Sequence, residues 1–203
     1  MKNMRAILRG LMLLVCALGA AGLRAQIVPA VTPDAPAARP AAVINLATPE
    51  GAALVKGQWR YSDVKISEVD HRSPGPDLRP SGPPNRALDI SPKAGAADFD
   101  DSGWQAIEPA SLETRRSTGR FCFNWYRIKV TLPEKVAAFD VTGATVVFEL
   151  VVDYYAEVWV NGKLPIVLGQ TGGAFIKGFN APNRVVLTRD ARPGQQFQIA
   201  VFG

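Results

Sequence analysis

The residues whose types and spacing could do chemistry fall into a few groups. Asp98, Asp100 and Asp101 set three carboxylates within four residues, hard oxygen donors of the kind Ca²⁺ accepts. The spacing lacks the glycine and distal glutamate of an EF-hand loop, and turn formation ahead of Trp104 accounts for the same acids. Structural calcium is therefore one expectation and a capped turn the other. Glu149, Asp153 and Glu157 are acids of the type that hydrolysis by paired carboxylates places on either side of a glycosidic bond. Outward-facing strand positions are the default reading of these acids. A last group, Asp153, Tyr154, Tyr155, Trp159, Asn161 and Lys163, combines aromatic faces for the apolar side of a pyranose with polar groups for its hydroxyls. The same aromatics would also suit packing against a partner domain.

Other chemistries find no material. There is no Gly-x-Ser-x-Gly elbow, and the single histidine, His71, sits between Asp70 and Arg72 in a proline-rich stretch, which is poor ground for a nucleophilic triad. Gly169-Gln170-Thr171-Gly172-Gly173 has no following Lys-Ser or Lys-Thr, so it is a turn or a close backbone approach rather than a phosphate cradle. No catalytic residue is assigned, and the chain is expected to be non-catalytic.

The elements that must position these groups are strands. In Tyr155-Ala156-Glu157-Val158-Trp159-Val160-Asn161, Ala156, Val158 and Val160 point one way and Glu157, Trp159 and Asn161 the other. Asn161-Gly162 then supplies the pair that tolerates positive φ in a type I′ turn. The other strands are expected to pack around this hairpin. A first strand is predicted over 59–69, with Val64 and Ile66 alternating against Lys65 and Ser67. Another runs over 121–132, with Tyr126, Ile128 and Val130 on one face and Arg127, Lys129 and Thr131 on the other. Further strands are predicted over 145–152, 184–187 and 196–202. Thr48-Pro49-Glu50 reads as an N-cap and first turn of a short helix. Between residues 70 and 95 the periodicity stops among Pro74, Pro76, Pro80, Pro83, Pro84 and Pro92. An irregular surface insertion is expected there, with a binding loop as the alternative. The fold class is all-β, an antiparallel sandwich with a short helix near the start.

Residues 1–25 read as a signal peptide. Lys2, Arg5 and Arg9 form a basic start, the apolar run that follows is about 11 residues, too short for an ordinary membrane span, and Ala25 offers a small residue for cleavage. A retained anchor and a lipoprotein signal through Cys16 fit less well. The expected location is secreted or periplasmic, with no membrane contact after processing. Residues 26–42 are a Pro/Ala-rich linker, and 43–203 form one domain. Losing Lys2, Arg5, Arg9 and Arg24 brings the balance of 23 basic to 18 acidic residues close to neutral, which argues against a nucleic-acid partner. Arg115, Arg116 and Arg120 remain as a small basic cluster. Cys122 is left without a disulfide partner and is expected to be a buried thiol.

As a set, these motifs resemble the galactose-binding-like jelly roll, in particular the sugar-binding domain of glycoside hydrolase family 2. Phe99-Asp100-Asp101-Ser102-Gly103-Trp104 resembles the segment that introduces the second part of that sandwich. Trp125-Tyr126-Arg127, leading to Leu132-Pro133, is similar to its aromatic-aromatic-Arg strand. Residues 156–162 with Gly172-Gly173 and Phe175 resemble its hairpin and following loop, and 193–202 its closing strand. The likeness spans roughly 59–203 and departs from the family at 70–95. A similar jelly roll resembles the amino-terminal domain of some exported gluconolactonase-type proteins. The resemblance implies a carbohydrate-binding-like accessory domain of an exported hydrolase, with carbohydrate or a catalytic hydrolase domain as partner. The alternative it implies is a structural domain bracing a catalytic glycosidase or gluconolactonase-type partner. Stopping on a strand at Val201-Phe202-Gly203, the chain reads as the front part of a longer polypeptide.

Overall fold

The structure, a computed structural model, describes residues 39–119, 122–152, 155–164 and 181–203. The segment read as a signal peptide, most of that read as a linker, Arg120, Asp153, Tyr154 and the glycine-rich stretch through Phe175 lie outside the described residues.

The helix forms where the capping residues place it. Thr48 keeps extended backbone (φ −115°, ψ 150°) and its Oγ1 accepts from Gly51 N at 3.1 Å, opening α1 (Pro49–Leu54). Pro49 suits the first turn because its missing N–H would have no partner there. Gly51 is required for another reason: a Cβ would lie 1.9 Å from the Asn45 carbonyl oxygen. Thr48→Ala should cost about 1 kcal/mol, read as a small fall in thermal midpoint. An unchanged midpoint would show that the cap bond contributes nothing.

The main layer is an antiparallel five-stranded sheet in the order β4 (Gln105–Ile107), β1 (Trp59–Asp63), β5 (Asn124–Thr131), β11 (Gln196–Phe202), β9 (Glu157–Val160). A two-stranded sheet, β8 (Val146–Val152) with β10 (Ala181–Thr188), covers one of its faces. Between them lies the principal core, in which Trp59, Tyr61, Ile128, Val130, Val158, Phe197, Ile199 and Val201 meet Val185, Phe148 and Leu150. Each of these comes from the apolar parity of its strand, as alternation dictates. A small hairpin pairs β6 (Lys135–Val136) with β7 (Phe139–Asp140). The all-β antiparallel sandwich is the observed class.

Several expectations are corrected. The hairpin strand β9 stands at the end of the sheet order, and β5, flanked by β1 and β11, is the centre. Local alternation shows that a strand has a buried face but not where it sits in a sheet. The strand predicted over 59–69 is two strands. It breaks at Val64, whose N–H donates to Phe123 O at 3.0 Å, and β2 (Lys65–Arg72) leaves the main sheet. The stretch 70–95 is not irregular throughout, because β3 (Pro84–Ser91) pairs antiparallel with β2 from Arg72↔Pro84 to Lys65↔Ser91. This ribbon is open on both faces along its outer half, so it shows no apolar alternation, and its proline stands at the first position of β3, where strands tolerate it. Cys122 is half-buried rather than buried.

Candidate functional site

The face of the main sheet opposite the principal core carries Trp125, Arg127 and Lys129 from β5, Ala200 and Phe202 from β11, and Glu157 and Trp159 from β9. Arg127 lies on the face opposite Ile128 and Val130, as the alternation predicts, but that face is covered at this point. Its side chain is 1% exposed. The segment between β3 and β4 crosses over it and closes this face. Arg127 Nε donates to Asp101 Oδ2 at 2.7 Å, Nη1 donates to Ala94 O and, at 3.1 Å, to Ala96 O, and Nη2 donates to Phe99 O at 3.4 Å. The guanidinium carbon also lies 5.4 Å from the centre of the Phe99 ring. A planar fork with five donors can serve this many acceptors at once, and a lysine cannot.

The aromatic residues around Arg127 complete the closure. Trp125, 2% exposed, donates its indole N–H to Pro92 O at 2.9 Å and packs 4.9 Å from Phe202, centre to centre. Trp159 lies 6.5 Å from Trp125 and presses on Gly95, where a Cβ would meet the indole at 2.6 Å. The two motifs Phe99-Asp100-Asp101-Ser102-Gly103-Trp104 and Trp125-Tyr126-Arg127 are thus halves of one clamp.

Two of the three acids proposed for calcium have partners within the chain. Asp101 is the ion-pair partner of Arg127, and Asp100 Oδ1 accepts from Ser102 N at 2.9 Å. Hydrogen bonds from Ser102 hold the Asp100 carboxyl below its ordinary range. Asp98 is exposed. No group of three or more His, Cys, Asp or Glu side chains converges on a metal position among the described residues.

At the β9 edge the structure gathers part of the proposed sugar-contact group around a residue assigned to another role. Glu157 Oε1 accepts from Tyr155 Oη at 2.5 Å and Oε2 from Trp159 Nε1 at 2.9 Å. Tyr155 is 39% exposed and stands edge-on to Phe202. Burial, then the bond to the Glu157 carboxylate, pushes the Tyr155 hydroxyl above the ordinary tyrosine range. The i, i+2, i+4 spacing of Tyr155, Glu157 and Trp159 was the available signal, since it puts all three on one strand face. Asn161 does not join them. Its φ of 49° and the 76° of Gly162 form the expected turn, but its Oδ1 accepts from Gln198 N at 2.8 Å, tying the turn to β11. Lys163 is exposed beyond the turn. Glu149 belongs to β8 in the other sheet, where it pairs with Arg184 at 2.5 Å. It does not face Glu157 as a second carboxylate on the same strand surface.

The remaining candidates disperse. His71 lies exposed on β2, in a shallow open depression with Asp70, Arg72, Pro80, Pro84 and Asn85. Arg115 sits 4.0 Å from the centre of the Tyr61 ring and donates to Gln105 Oε1 at 3.0 Å. Tyr61 Oη is 2.5 Å from Asp63 Oδ1 and 2.6 Å from Asn124 Oδ1, so one hydroxyl proton is shared between two acceptors. Burial, and secondly the bond to Asp63, drive the Tyr61 hydroxyl above the ordinary tyrosine range. The folded state therefore holds this proton more tightly than the unfolded chain does. The resulting stabilisation is complete below about pH 10 and is lost as pH rises beyond it. An ultraviolet titration of tyrosine ionisation should show Tyr61 ionising only with alkaline unfolding, a late component that is reduced in Tyr61→Phe, where the raised Tyr155 and Tyr126 hydroxyls remain. Ordinary titration of every tyrosine in the folded protein would contradict this.

No protein-family model matches the chain, and no curated protein matches it. Among solved structures it is similar to Faecalibacterium prausnitzii Beta-glucuronidase, 22% identical over 71% of this chain and 21% of that chain, with a TM-score of 0.30. The match thus spans about a fifth of that enzyme's length.

Proposed function

We propose that this chain is a non-catalytic accessory domain of an exported carbohydrate-active protein, touching carbohydrate along the row Tyr155, Glu157 and Trp159. The observation that supports this best is the Glu157 carboxylate, which fixes one exposed and one half-buried aromatic ring at the sheet edge. A carboxylate has about four acceptor positions, so lone pairs remain for sugar hydroxyls while the tyrosine ring offers an apolar face. The polar groups on this side of the sheet support the non-catalytic half of the reading. Arg127, Asp101 and Asn161 are all engaged in holding loops. Titrating sugars against intrinsic tryptophan fluorescence should give saturable quenching, weakened about tenfold, or 1.4 kcal/mol, in Tyr155→Ala with the melting curve unchanged.

One observation favours a second reading, a domain that braces a catalytic partner without sugar affinity. Trp159 is spent on Gly95 and Trp125, and Asn161 on β11. A folded sample that no sugar quenches would select this reading over the first.

A further inference from the structure

The ribbon formed by β2 and β3 makes little use of the rest of the molecule. Its base is anchored where Val64 and Ile90 join the aromatic cluster of the second face. Farther out, Glu68, Val69, Asp70, His71, Arg72, Asn85, Arg86 and Leu88 are exposed. A bare two-stranded ribbon is marginal in water. The charges along it are largely satisfied within it, Arg86 with Glu68 at 3.2 Å and Lys93 with Asp89 at 2.8 Å. Among the described residues the arm leaves a strand edge open, and its two strands expose Leu88, at 71%, and Val69, at 37%. Unpaired edges with exposed apolar residues are templates for strand addition.

We propose that the occupant is a second copy of this chain, added antiparallel along β3 about a two-fold axis at Leu88, so that two ribbons form one four-stranded sheet. Charge and register select this strand and this centre. A two-fold axis normal to the sheet preserves faces, so only residues of equal parity can stand opposite one another. Centring β2 on Glu68, Val69 or Asp70, its middle residues, sets carboxylates against carboxylates. Centring β3 on Arg86 or Asp89 opposes like charges as well. Leu88 at the axis pairs residues 85–91 of each copy. It places Leu88 on Leu88, Ala87 on Asp89, Arg86 on Ile90 and Asn85 on Ser91, with no like charges opposed. A centre on Ala87 would draw Pro84, which has no N–H to donate, into the ladder.

Sedimentation equilibrium of the purified protein, from about 1 µM to several hundred µM, should show mass rising towards twice the monomer. Leu88→Arg should abolish the rise without moving the melting curve, because that side chain is exposed in the monomer. Directly opposed antiparallel residues have Cα atoms about 4.5–5.5 Å apart, within disulfide reach. Leu88→Cys in a Cys122→Ser background should therefore oxidise to a covalent dimer, and Val69→Cys in the same background should not. A monomer at every concentration with no Leu88→Cys dimer would overturn the proposal. A dimer insensitive to Leu88→Arg would also overturn it, by placing the interface elsewhere.

Discussion

Replacing Arg127 with methionine should lower stability by about 3–5 kcal/mol, roughly 10 °C in the thermal midpoint. The side chain is enclosed, and its removal takes the guanidinium donor from the carbonyls of Ala94 and Phe99 and the carboxylate of Asp101, and leaves Ala96 O with the 3.4 Å bond from Phe99 N. Methionine fills much of the volume, so the loss reports hydrogen bonding rather than a cavity. Arg127→Lys should recover only a minor part, because an ammonium cannot present a fork to acceptors on several sides. Asp101→Asn should cost less, since Asp101 is 24% exposed and water reaches it. An Arg127→Met protein that melts with the parent would mean that the 94–101 segment stays in place without its clamp.

The second large effect is expected at Trp125, the residue two before Arg127 on the same face of β5. Trp125→Ala should cost about 3–5 kcal/mol, through lost burial and the cavity left between Phe202, Trp159 and the overlying segment. Trp125→Phe separates the contributions. It retains most of the apolar contact but removes the indole donor to Pro92 O, so a loss of about 1–2 kcal/mol is expected. Denaturant melts of both variants test this. Equal losses would place the whole effect in the hydrogen bond, and a negligible loss in Trp125→Ala would contradict the burial of this face.

Much of the fold was legible because one face of each main strand is buried against apolar side chains. Tyr126, Ile128 and Val130, or Phe197, Ile199 and Val201, announce their strands by period two, and Asn161-Gly162 announces its turn through backbone strain that only such residues tolerate. The ribbon was hidden for the converse reason, since β3 has no consistently buried face to pattern. The burial of Arg127 was not legible because parity records which side a residue faces, not what lies over that side. The covering segment, with Asp101, comes from 26 residues earlier in the chain, beyond the reach of local spacing. The site was legible in part. Tyr155 and Trp159 stood out as aromatics, but Glu157 was weighed only with the acids Glu149 and Asp153, and not against its own neighbours two residues away on either side.

The central claim is the proposal that this domain recognises carbohydrate and does no chemistry on it. Its most direct test is a glycan array probed with the purified protein, followed by a turnover assay on every glycan that binds. The account predicts reproducible binding to one sugar class, lost in Tyr155→Ala, with no product released. A blank array from a folded sample, or release of product by the isolated chain, would contradict it.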